Sequence, residues 1–290
     1  MGAERKSWAG LALAALIIVV AGCGGQDRTS PSPPPTATVT LQADAETTVP
    51  EAADQASPPT DPQSTKLAGE TTTPSTPAAD PRTLDLDVPE GAYAVIWVRH
   101  GSRVTLRTDP GGGSVVAKVG KRTEFGSPTV LGVVRQVGRW AAVTTAKLPN
   151  GRLAWVKLDP RRLNGGWTGL SIIVDLSARR ATLQRGDRVV RAFPVTVGAP
   201  GVDTPTGRFS VTDTFRGDLD PAAYGCCALA LSATQPHLPT GWLGGNRIAI
   251  HGTSGPLGVA ASHGCVRAAN ADVSALVDKV PLGTPVFIRS

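Results

Sequence analysis

Beyond residue 90 glycine and proline punctuate the chain at short intervals, and this limits what it can become. There are 33 Gly and 25 Pro in 290 residues, while aromatic side chains make up only 4%. Glycine gives up the most backbone freedom in a regular element, and proline removes a hydrogen-bond donor, so the pattern favours short strands and turns over long helices. A 41% hydrophobic content still supplies cores, and the length leaves room for roughly two domains. The expected fold class is mainly β.

The first 90 residues follow a different plan. Arg5 and Lys6 precede an apolar run over residues 9–21, shorter than the roughly 20 residues of a membrane span, which predicts an export signal over 1–22. Val20-Ala21-Gly22-Cys23 resembles a bacterial lipobox, which implies lipidation of Cys23 and a place on the outer face of the membrane, held by the lipid anchor and facing the wall. Residues 23–90, rich in Pro, Thr, Ala and acid, have no hydrophobic period and are expected to be a disordered tether. Flexible chain of this length spans on the order of 45 Å. Three basic and eleven acidic side chains lie in residues 24–90, against 24 basic and eleven acidic in 91–290. A basic folded part suits an anionic partner, and export narrows that to envelope polymer or headgroup rather than nucleic acid.

Two folded units are expected, at 91–160 and 169–290, with residues 163–169 as a connector. In the first, residues 94–98, 103–107, 140–143 and 153–156 read as strands, and Pro149-Asn150-Gly151-Arg152 as a hairpin turn. Its W-A-A-V and P-N-G-R-L-A-W-V segments resemble a bacterial SH3-like small barrel. In the second, residues 171–176, 180–183 and 189–197 form a meander by spacing, and Thr204-Pro205-Thr206-Gly207 turns the chain into another strand. Val273, Leu276, Val277 and Val280 recur at helical spacing after Asn270, a candidate cap, so one helix is expected over 270–280, before a closing strand at 286–288.

Chemistry concentrates in residues 250–267, I-H-G-T-S-G-P-L-G-V-A-A-S-H-G-C-V-R, which bring His251, His263 and Cys265 within eighteen residues. Export would leave three cysteines, an odd number. Cys226 and Cys227 are chain neighbours, with Cα atoms about 3.8 Å apart, closer than most disulfides allow; if they pair, Cys265 is the thiol left over. A thiol attacks as a thiolate, which a base, a cation or a helix start promotes, and Arg267 and the start of the helix are expected to lower the Cys265 pKa. His251, at the end of a strand over 247–250, is favoured as base. His263 either supports the loop or acts directly. Gly264 permits a tight turn whose N–H groups could receive an oxyanion. Ser262 and Thr253 read as loop-fixing hydroxyls, and Arg267 either binds a substrate carboxylate or braces the loop. The histidines and Cys265 lack the spacing of a zinc site, and no metal or other cofactor is expected.

The D-L-S-x-R meander, T-P-T-G, I-H-G-T with Gly252, S-H-G-C-V-R, N-x-D and P-L-G-T-P-V-F-I together resemble the L,D-transpeptidase catalytic domain, also called YkuD, over about residues 169–290. The resemblance implies a β-sandwich or barrel with one helix after the cysteine loop, Cys265 as nucleophile and His251 as base. It further implies a peptidoglycan enzyme that uses tetrapeptide stems as donor and acceptor, forms 3→3 cross-links with release of D-alanine, and is open to acylation by carbapenems. Carboxypeptidase activity, or wall binding without catalysis, are the alternatives. A thiol-disulfide role for Cys226 and Cys227 wants a C-x-x-C that is absent.

Overall fold

The computed structural model describes residues 83–290, apart from 218, 243 and 244. The expected signal segment, Cys23 and the tether up to residue 82 lie outside the described residues. Two large sheets, each with its own apolar core, and a two-stranded pair carry the described chain.

The first sheet is antiparallel. Its strands are β1 (Tyr93–Val98), β2 (Val104–Arg107), β3 (Val115–Val119), β4 (Val130–Val137), β5 (Trp140–Val143), β6 (Ala154–Lys157) and β7 (Leu163–Thr168), in spatial order β3-β2-β6-β5-β4-β1-β7. Alternating residues turn inward, so Ile96, Val98, Leu106, Val143 and Leu163 meet in one core. The expected turn is present, with the Arg152 N–H donating to Pro149 O and Gly151 at φ +80°. Two boundaries differ from the sequence reading. Residues 163–168 are a strand and not a connector, because Leu163 is wholly buried and the segment pairs with β1 along its length. The tether stops short of residue 90: Leu84 and Leu86 pack on the first core, and the Leu84 N–H donates to Leu158 O.

The second sheet contains β8 (Leu170–Asp175), β9 (Arg180–Arg185), β10 (Arg188–Pro194), β12 (Gly207–Arg216), β13 (Cys227–Thr234), β14 (Arg247–Thr253), β16 (Val266–Ala269) and β17 (Pro285–Arg289), while β11 (Val197–Gly198) and β15 (Ala260–Ser262) pair with each other. The order β10-β9-β8-β17-β12-β13-β14-β16 keeps the expected meander at one edge. Only β17 with β8 and β14 with β16 are parallel in it. Parallel neighbours need a crossover, which for β14 and β16 is the loop ending in Cys265.

A helix, α2 (Asn270–Lys279), covers this sheet with Val273, Leu276 and Val277, as the spacing requires. Asn270 is not its cap. Ala269 holds that position without a side-chain bond, and Asn270 instead accepts the Cys226 N–H through Oδ1 at 3.0 Å. A second, single-turn helix, α1 (Pro221–Tyr224), starts where Asp220 accepts from the Ala222 N–H; it is too short to show a hydrophobic period in sequence.

The sheets meet at short-range polar contacts. Thr144 Oγ1 donates to Ser210 Oγ at 2.8 Å, and a Cβ added at Gly132 would lie 2.0 Å from that same Ser210 Oγ. Asn150, in the hairpin turn, donates to Thr234 O at 2.6 Å and accepts the Thr234 N–H at 3.0 Å, holding the end of β13. Asn150→Ala removes both bonds and leaves the Thr234 groups short of partners, at a cost of about 2 kcal/mol, or roughly 4–8 °C in Tm. Arg152→Ala, in the same turn, should change Tm by no more than about 2 °C. Scanning fluorimetry on the two variants decides whether this contact clamps the sheets.

Candidate active site

β14 alternates. Ile248 and Ile250 enter the core, so Arg247, Ala249, His251 and Thr253 share the opposite face. The parallel partner β16 is registered Ile250 to Val266 and His251 to Arg267. Carried back one residue, this register sets Cys265 beside Ala249, whose small side chain leaves room for the sulfur. Cys265 and His251 are then diagonal neighbours across adjacent strands, with Cα atoms about 7–8 Å apart, within reach of one another's side chains. His251 lies inside its strand and not at its end, because pairing with β13 on one side and β16 on the other carries β14 on to Thr253. Its side chain is 3% exposed.

The Gly252 carbonyl lies 2.9 Å from His251 Nδ1. A carbonyl only accepts, so Nδ1 carries the proton and Nε2 keeps its lone pair as a base. Burial pushes the imidazole below its ordinary pKa, the Gly252 and Tyr224 carbonyls oppose this, and the Arg267 cation lowers it further. Burial pushes the Cys265 thiol up, against the Ala249 backbone N–H and Arg267, which both favour thiolate. The expected lowering of the thiol pKa is therefore corrected. Arg267 acts in that direction, but loss of solvent outweighs it, and α2 begins five residues beyond the sulfur. Both directions favour a neutral thiol beside a neutral imidazole. The sulfur also lies 4.0 Å from the Arg247 carbonyl, an acceptor for its S–H.

The loop that delivers Cys265 is fixed by polar groups. Ser262 Oγ donates to Cys265 O at 2.6 Å and accepts the Gly264 N–H at 3.1 Å, so that N–H is not free for an oxyanion. Thr253 Oγ1 accepts the Gly255 N–H, which makes both hydroxyls loop-fixing, as read from sequence. Gly264 has φ +107°, and a Cβ there would lie 2.3 Å from Gln235 Nε2. Gln235, 3% exposed, had not been singled out. Its amide donates to the carbonyls of Val202, Asp203 and His263, while Thr204 Oγ1 donates to Gly264 O and accepts the Gly198 N–H. A glutamine in an ordinary-looking Q-P-H segment carries no motif; only its neighbours in space reveal it.

On the other side, Cys226 and Cys227 form a disulfide with Cα atoms 3.8 Å apart, and Cys265 is the free cysteine among the described residues. Gly225 and Gly252 both pack on Asn270 Oδ1, where a Cβ from either would come within 2.3 Å, so Asn270 pins the disulfide turn to the strand that carries His251. Tyr224 stands edge-on to the His251 ring at 5.2 Å. The exposed His263 ring lies 4.9 Å from that of Trp242, which makes it part of the wall. A cleft of about 230 Å³ opens between Tyr224, Trp242, His251, His263, Cys265 and Arg267. Arg267 Nε is buried without a hydrogen-bond partner among the described residues, and the guanidinium sits beside His251 by register.

Residues 170–288 match the model of the YkuD family, the L,D-transpeptidase catalytic domain. The chain is 35% identical over 120 residues to YkuD of Bacillus subtilis (strain 168), which covers 41% of this chain and 65% of that one, just under two thirds. It is 34% identical over 119 residues to YbiS of Escherichia coli (strain K12), covering 35% and 38% of the two chains. A solved structure of L,D-transpeptidase 3 from Mycobacterium tuberculosis aligns over 48% of this chain and 74% of that one, with 15% identity and a TM-score of 0.36.

The balance between burial and Arg267 can be measured. Cys265 alkylation by iodoacetamide should rise with pH through an inflection above the ordinary thiol value of about 8.5. Arg267→Gln removes a cation that favours thiolate and disfavours imidazolium, so both inflections, of Cys265 and of His251, should move up. An inflection below pH 7 in the wild type, or a downward move in the variant, contradicts the assignment.

Proposed function

We propose that the chain is an L,D-transpeptidase of the cell wall that acts through a Cys265 thioester. The register of β14 with β16 carries this reading: it sets the free thiol beside a base whose Nδ1 proton is already committed, in an open cleft. In the first half-reaction, Cys265 attacks the carbonyl carbon of the third residue of a donor tetrapeptide stem as His251 Nε2 takes the thiol proton. The tetrahedral oxyanion is met by the Cys265 N–H, since that of Gly264 is taken. Collapse breaks the amide bond, and the imidazolium gives its proton to the departing D-alanine amine. The thioester remains.

In the second half-reaction the side-chain amine of an acceptor stem attacks, His251 removes its proton, the C–S bond breaks, and the departing Cys265 thiolate takes that proton from the imidazolium, completing a 3→3 cross-link. Water in place of the amine would make the same residues a carboxypeptidase. A neutral resting pair suits an enzyme that must wait for its donor stem, because a thiol reacts less readily than a thiolate with stray electrophiles. The export signal, lipid on Cys23 and the acidic tether would place the domain outside the membrane at the wall, with the first sheet as an SH3-like module beside it.

Intact mass after incubation with a carbapenem and with a disaccharide tetrapeptide tests the reading. The expected result is a covalent adduct and loss of D-alanine in the wild type, neither in Cys265→Ala, and a rate lower by about 10²–10⁴ in His251→Ala. A wild type with no adduct and no loss of D-alanine contradicts it, and a dimer product against a hydrolysed one separates cross-linking from carboxypeptidase action.

A further inference from the structure

A second cleft, of about 780 Å³, lies where the loops of the first sheet meet β12 and β14. Its lining carries Arg103, Lys118, Lys121, Arg122, Lys147 and Arg247, and a single carboxylate, Glu124. Glu124 is shared by two of them, with Arg247 at 2.5 Å and Lys147 at 3.5 Å. Arg122 turns to the Gly126 carbonyl. Arg103, Lys118 and Lys121 are exposed and have no carboxylate partner among the described residues. Like charges around a concavity reinforce one another's potential, and low-dielectric walls focus it into the cleft. The wall also includes Thr129, 5% exposed, whose Oγ1 is buried with no hydrogen-bond partner among the described residues.

We propose that this cleft binds a linear anionic polymer, a chain bearing phosphate or carboxylate groups at intervals. Its volume exceeds what one small anion fills, which favours a chain over a single ion. No Phe, Tyr or Trp lines it and His100 is its one ring, which favours contacts to oxyanions over a run of stacked nucleobases. Arginine and lysine together suit it, the one forked against an oxyanion, the other a mobile point charge. Arg247 lines both this cleft and the one that holds Cys265, so a bound chain would lie alongside the catalytic cleft. The charge of this cleft does not depend on acyl transfer at Cys265. Residues 91–290 are basic throughout, so diffuse charge is separated from the cleft by a matched control.

The test uses the full chain and two labelled probes, inorganic polyphosphate and poly-L-glutamate, with anisotropy read at about 50 and about 200 mM NaCl. At least one probe should bind, more weakly at the higher salt, and the tighter one names the anionic group. Arg103→Ala, Lys118→Ala and Lys121→Ala together should weaken binding about tenfold or more and flatten the salt dependence. The same charge removed at the far edge of the second sheet, by Arg180→Ala, Arg185→Ala and Arg188→Ala, should change it by less than about threefold. All six side chains are exposed, and an unchanged Tm confirms that both variants fold. Equal losses in the two variants, or no binding of either probe by the wild type, overturn the proposal.

Discussion

Parallel pairing between β14 and β16 is the constraint on which the site depends. Each strand alone is short, and the sulfur, the imidazole and the guanidinium come from two segments separated by a glycine-rich crossover. Register converts that separation into order: Arg267 beside His251, Cys265 beside Ala249, and Cys265 and His251 on a diagonal. A slip of one residue would turn all of them to the opposite face, into the core that Ile248, Ile250, Val266 and Ala268 fill. The apolar half of the pattern therefore enforces the chemical half. The loop bonds of Ser262, Gln235 and Thr204 then fix the last turn before the thiol.

Two effects compete over the charge state of the pair. Burial favours the uncharged form of both groups, while Arg267 favours thiolate and disfavours imidazolium. On the histidine they act together; on the cysteine they oppose, and burial wins. The arginine is thus better placed to help a thiolate as it forms than to sustain one at rest. Its unpartnered, buried Nε leaves hydrogen-bonding capacity unused among the described residues.

Much of this was legible in the sequence for a physical reason: strands and turns leave local signatures. Alternation around Ile96 and Leu106, the Asn150-Gly151 turn and the spacing of Val273, Leu276 and Val277 each marked its element. Cys265 and His251 stood out because a thiol near an imidazole is a residue pairing that can do nucleophilic chemistry. What sequence could not supply was contact at a distance. Asn270 looks like a helix cap because caps are local, yet its oxygen serves Cys226, forty-four residues away. Residues 163–168 look like a connector until their pairing with β1 is seen, and Gln235 carries no mark of the three carbonyls it gathers. The thiol pKa was misjudged for the same reason: a neighbouring cation is visible in sequence, and desolvation is not.

Cys265 and His251 are expected to rest as a neutral pair, with the proton of the imidazole on Nδ1. Nitrogen-15 NMR of the histidine side chains at pH 7, with His251 assigned by its loss in His251→Gln, tests this most directly. A protonated Nδ1 together with an unprotonated Nε2 is the expected outcome. Protonation of both ring nitrogens, collapsing to neutral in Cys265→Ala, would reveal a resting thiolate–imidazolium pair and contradict it.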